Sequence, residues 1–165
     1  MSKITNIANE VEEKIDINRA QIEHRATWMA LIFDEMRKAG VKDAEQIVRR
    51  AIKKTGNYHG SLFRAQCKDP ENLVDFRNAF LGDVGVQTFN MDGISADADN
   101  VNVDFHYCAL VSAWQKQGFD DETIALLCDM AMDGDRGIAE AMGIVLDLGD
   151  TIAKGCATCQ LHFKK

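Results

Sequence analysis

The segment NVNVDFHY, residues 100–107, decides the fold class of this chain. Val101, Val103 and Phe105 alternate with polar residues, and this period of two predicts a strand with one buried face. The residues that follow, 109–118, have the apolar spacing of a helix, and similar spacing fills most of the chain before this segment. We therefore predict an α+β fold, in which a helical N-terminal half packs on a small antiparallel sheet formed by the C-terminal half.

The rest of the chain supplies the elements around this strand. Gly40 is typical of a position just past a helix end, and Asp43 can cap the helix that follows. Strand signals at residues 144–152 and 158–163 predict a hairpin that turns across residues 154–155. We expect helices at 2–17, 18–39, 43–54, 61–68, 70–80, 120–132 and 138–142, turns at 55–60, 92–93 and 133–137, and a further strand at 84–90.

Length and charge limit the classes of protein to which this chain can belong. We treat its 165 residues as one domain, mainly helical over 1–82 and mixed over 83–165, where the candidate site lies. A formal net charge of −7 argues against a nucleic-acid binder. The sequence shows neither a secretory signal nor an apolar run of the ~18 residues that a membrane span needs. We therefore expect a cytoplasmic protein whose five cysteines are free thiols, metal ligands or reactive groups.

The first candidate group is His106 and Cys108, where the predicted strand ends and the next helix begins. Residues two apart in a strand point to the same face, and a helix N-terminus lowers the pKa of a thiol. This arrangement suits a reactive cysteine with a histidine beside it. The alternative is that Cys108 is a small buried apolar residue and that His106 lies on the solvent face with Asp104.

The second candidate group is acidic and consists of Asp129, Asp133 and Asp135 beside Arg136. Asp129 and Asp133 are four residues apart and share a face if the segment is helical. Two nearby carboxylates can hold a metal ion, or their pKa values can separate for acid–base work. The alternative is that Asp133 and Asp135 cap the helix that follows, with Arg136 as a surface counterion.

The third candidate group is the C-x-x-C pair Cys156 and Cys159. Such a pair beside a glycine turn is a common half of a tetrahedral thiolate site. On a strand, Cys159 shares a face with Leu161 and Phe163 and is therefore expected to face the core. Cys156 and His162 are then chance neighbours of that position.

A fourth candidate group lies upstream, where Glu23, His24 and Arg25 interrupt an apolar helix face. His24 and Trp28 are one helical turn apart and, with Arg25, can line a pocket for a small anionic ligand. The alternative is a solvated helix face.

Several of these segments together resemble the L-2-amino-thiazoline-4-carboxylic acid hydrolase family. The resemblance covers most of the chain and is densest after residue 100. Cys156 and His162 depart from the family pattern. The positions that we associate with it are His24, Arg25, Cys108, Cys128, Asp133 and Cys159. The segments that carry it are IEHRA (22–26), HYCALVSAWQKQG (106–118), LCDMAMDGDRGI (127–138), TIAKG (151–155) and CQLHF (159–163).

The resemblance implies a hydrolase that opens a small sulfur- and nitrogen-containing ring bearing a carboxylate. Water must add to the ring carbon between sulfur and nitrogen, and the product is a carbamoylated cysteine. In one mechanism Cys108 attacks this carbon, and His106 or Asp133 relays the proton. The residues available to bind the substrate carboxylate are His24, Arg25 and Arg136.

A second mechanism uses a metal. Cys108, Cys128 and Cys159 would hold Zn²⁺ or another divalent transition metal, and an open coordination position would activate water. A different interpretation is a non-catalytic sensor or binding module for a small molecule, a metal or haem. The expected partner in both interpretations is a small molecule, and a homo-oligomer is compatible with either.

These interpretations make three predictions about placement. Cys108, Cys128 and Cys159 should converge although they lie far apart in the sequence. Asp133, rather than Asp129 or Asp135, should face the pocket. His24 or Arg25 should line the same pocket as Cys108.

Overall fold

The computed structural model describes residues 2–165, and it shows the predicted α+β architecture. Helices dominate the N-terminal part, and the four strands lie after residue 90. The helices are α1 (Glu13–Lys38), α2 (Ala44–Gln66), α3 (Leu73–Phe80), α4 (Asp83–Thr88), α5 (Ala109–Lys116), α6 (Asp121–Ala131) and α7 (Asp133–Met142). The strands are β1 (Met91–Ala96), β2 (Asn100–Phe105), β3 (Val145–Leu148) and β4 (Cys159–Lys164), and a 3₁₀ turn spans Ile152–Lys154.

The four strands form one antiparallel sheet in the order β1-β2-β4-β3. The alternation predicted for β2 is confirmed, because Val101 and Val103 are buried and pair with Phe163 and Leu161 of β4. Phe163 packs edge-on against Phe76 of α3, and their ring centroids are 5.2 Å apart. The core therefore lies between one face of the sheet and the helices.

The N-terminal segment, predicted as a helix over 2–17, has no regular secondary structure up to Glu12. α1 starts at Glu13 and continues without a break for 26 residues. The helix prediction was wrong because the apolar residues do not share one face: Ile4 is 7% exposed and Ile7 is 75% exposed. The segment lies across α5 and α6 instead, where the backbone N–H of Lys3 donates to Asp121 at 2.6 Å.

The turn predicted at 55–60 is also absent, and α2 runs through it. Gly56 and Gly60 serve to bring two helices together. A Cβ built on Gly56 would overlap the carbonyl oxygen of Gly134 in α7, and one on Gly60 would lie 2.8 Å from Ile138. Glycine is required here for the close approach of α2 to α7 and not for chain reversal.

Two further local predictions need correction. Residues 84–90, predicted as a strand, belong mainly to α4, and the turn predicted at Asp92 and Gly93 lies inside β1 at an irregularity in its pairing. Gly93 has a φ of 59°, which explains why a glycine is present at this bulge. The turn predicted at 133–137 is the first part of α7, which begins immediately after Met132.

No helix within residues 2–165 is both long and apolar enough to cross a membrane.

Candidate active site

Cys108 lies at the junction of β2 and α5, in the cap position of the helix. Part of its surface stays accessible, although protein atoms surround it densely. Burial raises the pKa of its thiol, while the backbone N–H groups of Val111 and Leu110 and the charge of Arg25 act in the opposite direction. The site thus holds a neutral thiol whose ionised form has helix N–H groups available to stabilise it.

Cys159 of β4 lies near Cys108 because β4 pairs with β2. It pairs across β2 and β4 with Phe105, which precedes Cys108 by three residues, and its sulfur accepts a hydrogen bond from the backbone N–H of Ile152 at 3.2 Å. Burial, followed by the charge of Cys108, raises the pKa of Cys159 to about 12. Cys159 is therefore a protonated core thiol at neutral pH.

Cys128 in α6 completes the group of thiols. It is buried in the same apolar cluster as Cys159, and Cys108 packs against that cluster. Burial and then the charges of Cys108 and Cys159 raise the pKa of Cys128 well above its usual value. The three thiols, which are far apart in the sequence, are thus close enough in the fold to affect one another's ionisation.

Asp135 of α7 is the carboxylate whose charge acts on all three thiols. Burial raises its pKa to about 6, and the charge of Arg25 opposes that rise. Its charge in turn raises the pKa of Cys108, Cys128 and Cys159. A carboxyl group with this pKa exchanges protons near neutral pH, as a general acid or base must.

Arg25 of α1 is the cation with the largest effect on this carboxyl group. Its charge lowers the pKa of both Cys108 and Asp135. It is exposed, and within residues 2–165 it makes no ion pair. No carboxylate of the described residues therefore neutralises the guanidinium group of Arg25.

Asp133, which we predicted to line the pocket in place of Asp135, lies in an ion-pair network. Its side chain is 14% exposed and lies between two arginines. Its carboxylate oxygens accept from Arg136 at 2.7 Å and from Arg49 at 3.1 Å. In α7, Asp133 and Asp135 are two residues apart and point to nearly opposite sides of the helix. We had predicted a turn at 133–137, from which the opposite orientations of the two side chains could not be inferred.

Arg136 belongs to the same ion-pair network, and its charge also lowers the pKa of Asp135. It donates to Asp129 and to Asp133, each at 2.7 Å, and Arg49 also binds both carboxylates. Burial disfavours the charged form of Asp129, but the hydrogen bonds from Arg136 and Arg49 outweigh it and lower its pKa. Arg136, which we predicted to bind the substrate carboxylate, is thus paired with two carboxylates of the protein itself.

The two histidines predicted for the site lie on the surface. His106 is exposed, and its Nε2 is 2.8 Å from Asp92 Oδ1. His24 is exposed and contacts Trp28 edge-on, with ring centroids 5.4 Å apart. His106 thus lies just beyond the end of β2 at Phe105 and pairs there with Asp92.

The predicted metal ligands do not form a ligand set. Among residues 2–165, no three His, Cys, Asp or Glu side chains are arranged to hold one metal ion. Cys156 is a neighbour of Cys159, since its charge contributes to the raised pKa of that thiol. His162 contacts Asn100, with 2.9 Å between Nε2 and Oδ1.

Sequence reasoning did not single out two residues of the site. Asp135 was grouped with Asp133, either as a metal-binding or acid–base carboxylate pair or as a helix cap. A helix beginning at Asp133 would have been the signal to separate the two carboxylates. Asn6 lies in a segment predicted as helical, yet its side chain bonds to the backbone of Cys108. No local pattern reveals a contact between residues so far apart in the chain.

The comparisons with known proteins agree with the resemblance seen in the sequence. No curated protein and no solved structure matches the chain. The L-2-amino-thiazoline-4-carboxylic acid hydrolase family matches residues 19–163 of the 165. That range contains the three thiols, Asp135 and Arg25. The chain therefore belongs to the L-2-amino-thiazoline-4-carboxylic acid hydrolase family.

Proposed function

We propose that the chain is a hydrolase that opens a small thiazoline-type ring bearing a carboxylate, with Cys108 as its nucleophile. The observation that carries the proposal is the grouping of Cys108, Asp135 and Arg25. The three groups that act on one another there are the thiol of a half-buried cysteine at a helix N-terminus, a carboxyl group with a pKa of about 6, and a cation without an ion pair within residues 2–165. The name of the family supplies the class of reaction.

Each of the three residues has a chemical role in this proposal. Arg25 pairs with the substrate carboxylate and orients the ring. Above about pH 6 Asp135 is ionised and serves as the base that the neutral thiol requires. The N–H groups of Leu110 and Val111 stabilise the thiolate as it forms. Asp135 replaces Asp133 and His106 in the role of proton relay.

The reaction proceeds in two steps through a covalent intermediate. Cys108 Sγ bonds to the ring carbon between sulfur and nitrogen, and its proton passes to Asp135. The bond from that carbon to the ring sulfur breaks, and Asp135 gives the proton to the departing sulfur. Water then adds to the same carbon, one of its protons going to the imino nitrogen and the other, through Asp135, to Cys108 Sγ. Release of Cys108 leaves the carbamoylated cysteine.

The alternative routes are distinguished by simple measurements. A metal-activated water would require bound metal, which elemental analysis of protein purified without chelator would detect. The binding-module interpretation requires a ligand that binds without being converted. The proposed mechanism contains no metal, since the thiols in residues 2–165 are not arranged as a ligand set.

The test of the proposed function is turnover of 2-aminothiazoline-4-carboxylate, followed by release of the product thiol. Cys108→Ser should lower kcat by about a hundredfold or more, since a hydroxyl group is a far weaker nucleophile than a thiolate at neutral pH. Mass spectrometry of the wild-type protein quenched during turnover should show substrate mass on the peptide that contains Cys108.

Cys67→Ser is the matched control. This thiol lies at the end of α2, where its sulfur bonds to the carbonyl oxygen of Phe63 at 3.2 Å. The variant should keep the wild-type rate. Full turnover by Cys108→Ser, or binding of the compound without turnover by the wild type, would overturn the proposal.

A further inference from the structure

Residues 2–12, which we call the N-terminal strap, cross the start of α5 and lie before the segment that the family matches. The strap is fastened near its first residues. Ser2 Oγ and the backbone N–H of Lys3 each donate to Asp121 at 2.6 Å, and Ile4 is buried in the main core cluster. The carbonyl oxygen of Ile4 accepts from Gln115 of α5 at 3.2 Å.

Buried Arg19 fastens the other end of the strap. It donates to the carbonyl oxygen of Asn9 at 3.0 Å and to Asn9 Oδ1 at 2.8 Å. Its guanidinium carbon also lies 4.7 Å from the centre of the Tyr107 ring. Tyr107 immediately precedes Cys108. The buried Arg19 therefore contacts both the strap and the residue next to Cys108.

Asn6, between these two ends, holds the backbone of Cys108 on both sides. The N–H of Cys108 donates to Asn6 Oδ1 at 2.8 Å, and Asn6 Nδ2 donates to the carbonyl oxygen of Cys108 at 2.9 Å. That carbonyl also accepts the helical hydrogen bond from Ser112 at 3.0 Å. Asn6 therefore satisfies a donor that a helix start leaves unpaired, and it fixes the orientation of the peptide groups that carry the thiol.

We propose that Asn6 is a positioning residue for Cys108, and that the N-terminal strap completes the active site from outside the family-matched segment. The inference rests on the proposed function, because it gives Cys108 the role of nucleophile. Asn6 acts through the backbone of Cys108 and does not contact the reacting atoms. Its effect should appear in how readily the thiol ionises and in kcat, and less in substrate binding.

The experiment compares Asn6→Ala with Thr5→Ala in the full chain. Thr5 is its exposed neighbour in the strap, and its side chain makes no hydrogen bond within the described part of the chain. Alkylation of Cys108 by iodoacetamide is followed against pH by peptide mass spectrometry. Loss of Asn6 loosens the first turn of α5, so the N–H groups stabilise the thiolate less well, and the midpoint of the profile should move upward. kcat should fall by about tenfold with KM changed by less than about threefold.

Thr5→Ala should match the wild type in both measurements. If Asn6→Ala does not fold, Asn6→Gln, which keeps the amide but misplaces it by one methylene, takes its place in the same comparison. Identical alkylation profiles for the Asn6 and Thr5 variants would overturn the inference. A shifted profile in a protein whose wild type shows no turnover would support the positioning role of Asn6 and reject the hydrolase proposal.

Discussion

Asp135 combines burial with nearness to three thiols and to the guanidinium groups of Arg25 and Arg136, and these surroundings decide its chemistry. Burial raises its pKa to about 6, from a usual value of 3.8. Between pH 3.8 and about pH 6, the carboxyl group of Asp135 is deprotonated in the unfolded chain and still protonated in the folded chain. The contribution of Asp135 to the free energy of unfolding therefore falls as pH rises from about 4 to about 6, and stays low above that range.

Asp135→Asn should remove this pH dependence. The free energy of unfolding of the wild type relative to the variant should be lower at pH 7 than at pH 4, by roughly 2–3 kcal/mol. Urea unfolding at both pH values measures the difference, with Asp150→Asn as the control, because Asp150 is exposed and its side chain makes no hydrogen bond within residues 2–165. If the difference in free energy of unfolding between the wild type and Asp135→Asn is the same at both pH values, Asp135 lies in solvent-like surroundings.

At the scale of elements, the crossing of α2 and α7 decides where Asp135 stands. The crossing depends on Gly56, Gly60 and Gly137, where an added Cβ would meet the backbone of the other helix. Backbones cannot shift as a flexible side chain can, so a side chain at the crossing would push α7 outward. The acidic group of α7 would then move away from Cys108.

Gly56→Ala should therefore lower the free energy of unfolding by about 2 kcal/mol or more, because overpacking at a backbone contact is costly. Gly85→Ala is the control: Gly85 lies in α4, and a Cβ added there would meet no atom of another segment within 4 Å. It should be neutral or stabilising by up to about 1 kcal/mol, since alanine favours a helix. Thermal unfolding compares the two, and equal melting temperatures would show that the crossing can adjust.

At the scale of the whole molecule, one ion-pair network joins α2, α6 and α7. Arg49 and Arg136 each bind both Asp129 and Asp133, over distances of 2.7 to 3.1 Å. Arg49 also binds Glu45 at 2.8 Å. The network lies beside the thiol site and supports the helices that carry Cys128 and Asp135, without contributing a free charge to it.

Asp133→Asn should consequently lower the stability of the protein while leaving the chemistry of Cys108 intact. We expect a loss of roughly 1–3 kcal/mol, because two arginines lose part of the charge that pairs with them in a half-buried place. The pH profile of Cys108 alkylation should match the wild type. If the alkylation profile changes while the free energy of unfolding does not, Asp133 has the catalytic role that the sequence suggested.

The sequence by itself determined the features that depend on local periodicity and local capping. The alternation of Val101 and Val103 identified β2, and the helix predicted at 120–132 corresponds to α6, which Asp120 caps by accepting from the backbone N–H of Thr123 at 2.7 Å. Both follow from interactions within a few residues. The family resemblance likewise rests on segments that can be read along the chain.

Only the tertiary structure decided which polar groups meet. The charge of Asp135 rather than that of Asp133 acts on Cys108, because α7 begins at Asp133, earlier than expected, and its crossing with α2 sets its rotation. Asn6 bonds to the backbone of Cys108, which is 102 positions away in the sequence. Ile4 fits a helical pattern in the sequence but is buried in the core without forming a helix. Such contacts arise from packing between distant segments, and packing energy of this kind overrides local preference whenever it buries more apolar surface or satisfies more hydrogen bonds.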